Sequence, residues 1–431
     1  MSLPVAMDLI SKQPSVKASV KTVQFSANNG GSFLSTGNSI IRIPISGSPS
    51  QWLNGAESYL KFTIRNNSNV SVTIDDSYAS VFQRVRVLAG SVVLSDLSGY
   101  NVLHKLLTHH QGSDELNRFN QICSGSSRST DTLNAPDDII QNATNPTGTL
   151  APTDETTRTA TVAVSLINGL LNSGKFIPIG LLASSLTLEL YLDPNFSDVF
   201  NHADAATTTN YTISNINYVS QIIDILDSNV NNQMRAELLK RPMEIHTDDW
   251  VLNQNALPAT GTFSAIISDR SQSLKNLISV IKRTGAYNVS GMNAYKCGVQ
   301  NYQYLIGNDR YPVQRVEVGA KNLCESFLET QKCFTSALFS LKNTTYANVS
   351  TFGNDSTGTA NACFCMAVDL ESFAESSGGI ESGLNTSQIS TPIILNGSYV
   401  NTGTPATQLY TYCHKDIIYM IDGSGQIVKS E

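Results

Sequence analysis

Charged residues are scarce in this sequence. Only 15% of its 431 residues are Asp, Glu, Lys or Arg, and the net charge is −7, whereas about a quarter of the residues in an ordinary soluble domain are charged. A bulk electrostatic attraction to nucleic acid, and with it sequence-specific nucleic-acid binding, is therefore not expected. The polar surface must be built largely from Ser, Thr, Asn and Gln. Such a surface suits packing against neighbouring molecules, because charge usually keeps monomers apart.

Long apolar runs and a secretion signal are also lacking. No stretch approaches the ~18 apolar residues of a membrane span, and Asp8 stands where the apolar core of a signal peptide would run. We therefore expect synthesis in the cytosol or another reducing compartment. The seven cysteines agree with this expectation, because an odd number is not typical of a disulfide framework.

The cysteines do not form a recognisable metal-binding pattern. A site made of Cys363, Cys365, Cys413 and His414 can be drawn, but its spacing matches no zinc motif. Buried free thiols are the expected state. Three histidines share the end of one short predicted helix: His104, His109 and His110. We expect them to have a structural role, because positive charge is favoured at a helix C-terminus.

Catalytic motifs are absent as well. The sequence contains no G-x-S-x-G elbow, no P-loop and no dinucleotide fingerprint. Neighbouring residues in a strand point to opposite faces, so adjacent acids do not by themselves make a catalytic dyad. Such pairs occur at Asp75-Asp76, Asp137-Asp138 and Asp248-Asp249. We predict no enzyme activity, no catalytic, cofactor-binding or metal-binding residue, and no cofactor.

What the sequence does contain is alternation with a period of two. Leu186–Leu192 has leucine at every second position, as a strand with one buried face requires. Clusters of Gly, Asn, Ser, Thr and Pro separate such segments, which favours a β-sandwich over a βαβ fold. Further predicted strands are Ile40–Ile45, Tyr59–Ile64, Val70–Ile74, Val81–Leu88, Thr159–Val164, Phe263–Ile267, Leu277–Ile281, Cys363–Val368 and Leu409–Cys413.

Helices are predicted at three places only: Tyr100–Gln111, Val230–Arg241 and Ala320–Thr335. The first and third each follow a predicted hairpin, whose turns contain Gly90 and Gly307. These glycines lie 217 residues apart and the predicted helix starts lie 220 apart. Both offsets are about half the chain. The repeated order of hairpin, helix, loops and strands predicts a duplication of structural elements.

We therefore divide the chain into an N-terminal arm (1–18), a first sandwich (19–228), a linker with a short helix (229–258) and a second sandwich (259–431). The stretch from Gly112 to Thr157 has no periodicity and is rich in polar residues, so a projecting surface loop is predicted there. Between Leu9 and Ala56 the only charged residues are basic. They are Lys12, Lys17, Lys21 and Arg42, and they read as a solvated arm or as one that faces an anionic partner.

Short motifs in the second half resemble a known family. The series runs through NYQYLIG (301–307), Tyr311-Pro312, the predicted helix from Ala320, AVDLESF (367–373) and GSG (423–425). It is similar to the C-terminal jelly roll in double jelly-roll major capsid proteins of tailless icosahedral DNA viruses. The resemblance is to polinton-like viruses, virophages and their relatives, and more distantly to large algal DNA viruses. In the first half, FIPIGLL (176–182) is similar too.

The resemblance implies an all-β fold of two tandem eight-stranded antiparallel jelly rolls with short helices in loops. It implies a homotrimer whose six sandwiches form a pseudo-hexameric capsomer in the virion shell, assembled in the host cytoplasm or nucleus. It places the arm on the inner side, towards a membrane, the genome or minor and penton capsid proteins. The loop 112–157 would lie outside or at the trimer seam.

Two alternatives stay open at this point. A single-jelly-roll capsid protein with a projection domain would have unlike halves and usually a denser arginine-rich arm. A carbohydrate-binding or hydrolytic β-sandwich protein would usually have a signal peptide, aromatic platforms and a pair of carboxylates. The small number of basic residues in the arm argues against the first alternative. The second is poorly supported because the chain has only two tryptophans from which an aromatic platform could be built.

Overall fold

The chain is described from a computed structural model. The structure describes residues 17–68, 72–74, 78–110, 123, 159–201, 209–258, 261–282, 294–319, 322–334, 352–353, 362–371, 383–388, 392–400 and 408–430. Most of the predicted arm (1–18) and of the predicted loop (112–157) lies outside these residues, and so do the acid pairs at 75–76 and 137–138.

Eleven strands form the first half of the described chain. Its longest strands, β4 and β11, pair with each other at the centre of one sheet. In chain order the strands are β1 (Ala18–Ser26), β2 (Ser32–Leu34), β3 (Ile40–Ile45), β4 (Gln51–Asn66), β5 (Thr73–Ile74), β6 (Phe82–Ala89), β7 (Val92–Ser98), β8 (Thr159–Val164), β9 (Leu186–Leu192), β10 (Phe200–Asn201) and β11 (Tyr211–Ile225).

Nine strands form the second half. They are β12 (Met243–Ala256), β13 (Gly261–Ile267), β14 (Leu274–Lys282), β15 (Val299–Ile306), β16 (Asp309–Glu317), β17 (Met366–Asp369), β18 (Ile393–Tyr399), β19 (Gln408–Ile421) and β20 (Ile427–Ser430).

The two halves share one topology. In the first, one sheet has the order β1-β11-β4-β8 and the other the order β3-β9-β6-β7. In the second, the orders are β12-β19-β14-β17 and β13-β18-β15-β16. With the eight main strands of each half counted along the chain, both halves give 1-8-3-6 and 2-7-4-5, all antiparallel. This is the jelly-roll arrangement of eight strands in two packed sheets.

The fold is therefore a double jelly roll, and the predicted pair of tandem eight-stranded jelly rolls is confirmed. The alternative with a single jelly roll and a projection domain is wrong, because the halves are alike. The added strands β2 and β20 extend one sheet of each half, and β5 pairs with β10 in a small separate sheet.

Four α-helices connect the strands within the described residues. They are α1 (Tyr100–His110), α2 (Phe196–Val199), α3 (Ser228–Lys240) and α4 (Cys324–Phe334), and a short 3₁₀ helix covers Tyr78–Val81. Helices α1 and α4 each follow the fifth main strand of their half, as the predicted duplication requires. Gly90 and Gly307 have φ values of 61° and 64°, so both predicted hairpin turns use a conformation that favours glycine.

One part of the predicted domain division differs from the structure. The segment 229–258, predicted to be a linker, contains β12, which pairs with β19 from Met243 to Ala256. This strand is the first of the second jelly roll, so the connection between the halves is reduced to α3. None of the helices described is long and apolar enough to cross a membrane.

Strand β9 shows how the alternating pattern builds a sheet. Its four leucines are almost completely buried, and it lies between β3 and β6. On its opposite face Glu189 accepts from Arg42 at 2.8 Å and from Arg86 at 2.9 Å. Because two guanidinium groups on neighbouring strands compensate it, this carboxylate can be buried in the middle of the sheet.

Candidate functional site: the joint between the two jelly rolls

The two jelly rolls meet along an extensive contact, here called the joint. One cluster of buried apolar residues fills the first jelly roll and continues across the joint to Ile278, Val280 and Tyr410 of the second. The interior of the second jelly roll forms a separate cluster. Apolar burial of this kind is the main stabilising term in protein contacts, so the two halves are expected to behave as one rigid unit.

Helix α1 lies inside the joint. All eleven of its residues are buried, including Asn101, Lys105 and Thr108. Asn101 donates to the carboxylate of Asp193 at 2.9 Å, and Thr108 donates to the backbone of the preceding turn. A helix that is covered on every side is part of the core. The sequence places Val102, Leu103, Leu106 and Leu107 on one face of α1, so its pattern alone predicts burial of that face only.

The C-terminal end of α1 is held by His110. Its Nε2 lies 3.0 Å from the carbonyl oxygen of Cys363, and its Nδ1 lies 3.3 Å from the side-chain amide of Gln331. The ring also stacks on Phe334 of α4 at a centroid distance of 4.8 Å. His110 thus joins the helices of both halves.

Strand β7 of the first jelly roll contacts β12 and β19 of the second. Ser95 donates to Asp249 at 2.9 Å, and Lys429 forms an ion pair with the same carboxylate at 3.1 Å. Two tyrosines of β19 donate to β7 and the residue that follows it: Tyr419 to the carbonyl of Leu94 at 3.1 Å and Tyr412 to that of Gly99 at 2.8 Å. Buried polar groups at the joint therefore have specific partners, which fixes the register of the contact.

Glycines allow close approach at the joint. Gly99 has a φ of 62°, and a Cβ placed there would lie 2.8 Å from the side chain of Leu252. A Cβ on Gly169 would overlap the carbonyl oxygen of Asp248 in β12. The carbonyl of Gly169 also accepts from Thr247 at 2.7 Å. Side chains larger than hydrogen would push the halves apart at both places.

A buried ionic group crosses the joint beside α2. Lys282 of β14 lies 3.0 Å from Asp198, and their side chains are 11% and 7% exposed. Burial opposes the charge on Lys282, but Asp198, Tyr410 and Asp193 together outweigh burial, so the pKa of the lysine is raised. Burial and the charge of Asp198 together raise the pKa of Asp193 to about 6.

The acid pair at 248–249 has separate roles. Asp249 faces the first jelly roll, as described above, while Asp248 contacts Lys275 at 3.3 Å and His414 at 3.2 Å. Burial favours the neutral acid, but His414 and Lys275 outweigh it and hold the pKa of Asp248 well below its usual value. The two carboxylates do not converge on one point, in agreement with the prediction from strand geometry.

The three cysteines whose spacing matches no zinc motif are buried in two different apolar clusters. Cys365 belongs to the apolar cluster that crosses the joint, whereas Cys363 and Cys413 belong to the interior of the second jelly roll. His414 stacks on Trp250 with ring centroids 4.1 Å apart. Within the part of the chain that the structure describes, no group of three His, Cys, Asp or Glu side chains is placed to hold a metal ion.

A cleft of about 310 Å³ opens between β7 and β12. Its walls include Val93, Val251, Asp249 and Lys429. Asp249 and Lys429 are paired with each other, and Asp96, which also lines the cleft, is paired with Arg84. The charged side chains of the cleft are therefore compensated by ion pairs.

Strands β7 and β12 of the joint each have an equivalent strand in the other jelly roll. These equivalent strands, β16 and β1, carry exposed apolar residues. Strand β16 occupies in the second half the place that β7 has in the first, and Val313 on it is 84% exposed. Strand β1 occupies in the first half the place of β12, and Val20 on it is 60% exposed. By contrast, Leu94, Ser95 and Leu97 of β7 are buried, and only the first two residues of the strand are exposed. Sequence reasoning missed this asymmetry, because it depends on which edge meets the other half.

The structure is similar to solved capsid structures over almost its whole length. PBCV-1 VP54, fitted into a reconstruction of the virophage Sputnik, matches with a TM-score of 0.65 at 11% identity, covering 98% of each chain. The Faustovirus major capsid protein matches with a TM-score of 0.59 at 7% identity, covering 95% of this chain and 91% of that one. The Sputnik virophage structure at 3.5 Å matches with a TM-score of 0.56 at 11% identity, covering 100% and 92%. No protein-family model and no curated protein matches the sequence. At such low identity the likeness establishes the double jelly-roll fold.

Proposed function

We propose that this chain is a structural major capsid protein. It would assemble as a homotrimer whose six jelly rolls form a pseudo-hexameric capsomer, the tile of an icosahedral DNA-virus shell. The observation that carries the proposal is the joint. The joint has two sides, an edge strand and a sheet, and each jelly roll contains an equivalent of both. Within one chain, only one edge strand and one sheet are used.

The unused sides are complementary in principle. Within the chain, the edge strand β7 packs on the sheet that contains β12 and β19. The equivalent edge strand β16 and the equivalent sheet of β1 and β11 are left over. A second copy could therefore place its β1 and β11 against β16 of the first copy. This is a head-to-tail contact, and repeating it gives a ring if the rotation closes.

A ring of three chains would contain six jelly rolls, with three joints inside chains and three between them. The outer face of the first jelly roll is polar, and Lys61 and Arg65 lie on either side of Thr63 along β4. Thr63 and Thr161, for example, are hydrogen-bonded to each other across β4 and β8 at 3.1 Å. Interfaces of capsid-like assemblies combine large area with such polar contacts.

The comparisons support this function. Structures that resemble the chain over more than nine-tenths of its length are described as a virus capsid and as a major capsid protein. A structural role also agrees with the paired state of the charged groups at the joint. No observation favours a carbohydrate-binding or hydrolytic function.

Finer points of the proposal concern location and partners. The protein would reside in the virion shell after assembly in the host cytoplasm or nucleus. The end of the molecule where β1 begins would face inwards, and the N-terminal arm with Lys12 and Lys17 would approach a membrane, the genome or minor capsid proteins. Penton proteins would fill the five-coordinated vertices, which a pseudo-hexagonal tile does not fit.

Light scattering after size-exclusion chromatography tests the proposal. One chain has a mass of 46.6 kDa, so the trimer is expected at three times that value. Val313→Asp and Val20→Asp should each shift the protein towards monomer, because a buried carboxylate without a partner is costly. Ile266→Asp is the matched control, since Ile266 is similarly exposed at 54% but lies on β13. A wild-type protein that stays monomeric at high concentration would refute the function proposed.

A further inference from the structure

Helix α3, the connection between the two jelly rolls, carries an apolar row that the described residues cover incompletely. Val230, Met234 and Leu238 are half-buried and lie four residues apart, which places them on one face of the helix. No residue of α3 is buried. Leu226, four residues before Val230, is 53% exposed. A short polar helix gains most of its stability from tertiary packing, so this face calls for a partner.

The position where β1 begins indicates which partner is available. Ala18 is paired with Ile225, the last residue of β11, and the backbone N–H of Leu226 donates to the carbonyl of Lys17 at 2.9 Å. The chain therefore runs into β1 directly beside the start of α3. The sixteen residues before Lys17 are connected to the molecule at the edge of the apolar row.

The sequence before Lys17 has the chemistry that such a row would bind. Five large apolar residues fall within positions 3–10, and the only charge there is Asp8. The apolar residues are Leu3, Val5, Met7, Leu9 and Ile10. Residues 11–16 can span about 20 Å when extended, which equals the length of a thirteen-residue helix at about 1.5 Å per residue. The connection is therefore long enough for residues 3–10 to reach any part of α3.

We propose that residues 3–10 of the chain pack on the apolar row of α3 formed by Val230, Met234 and Leu238. Covering the row removes apolar surface from water on both partners. The chain's own segment is favoured over a separate molecule because its attachment beside Leu226 gives it a high effective concentration. The opposite face of α3 stays polar, where Glu237 and Lys240 form an exposed ion pair at 2.9 Å. This inference does not depend on the proposed function.

Photo-crosslinking in the full-length chain tests the contact. A benzophenone amino acid replaces Met7, the protein is irradiated, and the crosslinked peptides are mapped by mass spectrometry. Crosslinks to residues 226–241 of the same chain are expected. They should be lost in Met234→Ser/Leu238→Ser and retained in Gln233→Ser/Glu237→Ser, which changes exposed positions of the same helix.

Mixing isotopically light and heavy chains before irradiation identifies the origin of the segment. Crosslinks between light and heavy peptides would overturn the proposal in favour of contact between copies. Crosslinks that lie mainly outside 226–241, or none at all, would overturn it as well.

Hydrogen exchange provides a second measurement that needs no crosslinker. The Val5→Ser/Leu9→Ser variant should raise the exchange rates of amides 231–240 by about tenfold or more, because α3 then opens more readily. Amides of β11 and β12 should be unchanged, which shows that the jelly rolls remain folded. Equal exchange of α3 in wild type and variant would overturn the proposal.

Discussion

The ammonium group of Lys282 lies 3.0 Å from the carboxylate of Asp198 and thereby links β14 of the second jelly roll to α2 of the first. Both side chains are nearly excluded from water, and the lysine also lies over the ring of Tyr410 at 5.4 Å from its centroid. A charge buried in this way depends on its partner, because the solvent cannot replace it. The pair therefore makes the two jelly rolls energetically dependent on each other.

Lys282→Met is expected to lower the free energy of unfolding by about 3–5 kcal/mol, the usual cost of removing one partner of a buried ion pair. Lys282→Met/Asp198→Asn should recover much of that loss, since neither charge is then left in the interior. Lys240→Met, which removes an exposed pair with Glu237, should have no measurable effect. Urea denaturation of the four proteins measures these differences, and equal stability of Lys282→Met and wild type would contradict the prediction.

Asp193 should make stability increase as the pH falls towards 4. Its pKa is raised from 3.8 to about 6 by burial and by the charge of Asp198, so between these two values the folded state holds a proton that the unfolded state has released. Linkage then makes folding more favourable as the pH falls through this window, by roughly 3 kcal/mol at most.

Asp193→Asn should flatten this dependence, and the difference between wild type and variant at pH 4, 5, 6 and 7 isolates it from the six histidines. Asp248 does not interfere, because its pKa is lowered and its contribution is lost only below the window. A difference that does not change with pH would show that Asp193 is already ionised throughout.

Gly169→Ala should destabilise the joint, because the new Cβ would overlap the carbonyl oxygen of Asp248. Overpacking against backbone usually costs about 1–3 kcal/mol. Gly174→Ala is the control from the same loop, since a Cβ there meets nothing within 4 Å, and such exposed changes stay within about 0.5 kcal/mol. Thermal unfolding compares the two, and similar melting temperatures would show that the loop moves away at no cost.

Tyr412→Phe should lower stability by roughly 1–3 kcal/mol, because the carbonyl of Gly99 then loses its partner in a buried site. Tyr419→Phe removes the equivalent bond to Leu94 and should have an effect of the same order. Tyr59→Phe, at a half-exposed position of β4, is the control. Guanidinium denaturation monitored by circular dichroism measures the free energy of unfolding of all three variants. Losses no larger than that of the control would show that the two hydroxyl groups do not stabilise the joint.

The regular parts of the fold were predictable from the sequence. Strand β9 shows strict alternation, and its leucines are buried as that pattern predicts. The hairpin turns at Gly90 and Gly307 were recognisable because only a few residue types adopt positive φ easily. The helix after the second turn begins at Cys324, four residues after the predicted start at Ala320, which is a normal error for helix boundaries.

The joint was not predictable, because its residues do not show the alternation of apolar and polar side chains that marks a sandwich face. Polar side chains are buried there by contact with the other jelly roll. The segment that forms β12 was assigned to a linker. It contains Glu244, His246, Asp248 and Asp249, which are residue types typical of a protein surface. In the structure Asp249 is buried, and its carboxylate accepts from Ser95 and pairs with Lys429. The sequence gives helix α1 one apolar face, yet all of its residues are buried, and His110 at its end contacts Gln331 and Phe334 of the second jelly roll. A single sequence does not state which polar groups will meet across such a contact.

The joint inside the chain also has an evolutionary consequence. A protein with one jelly roll that formed a six-membered ring would use the same residues in all six contacts, so each mutation would change folding and assembly together. Here β7 and β12 serve the contact within the chain, while β16 and β1 would serve the proposed contacts between chains. Selection can therefore weaken or strengthen the association of finished chains without altering how a newly made chain folds, and the two halves are free to diverge in sequence while they keep one topology.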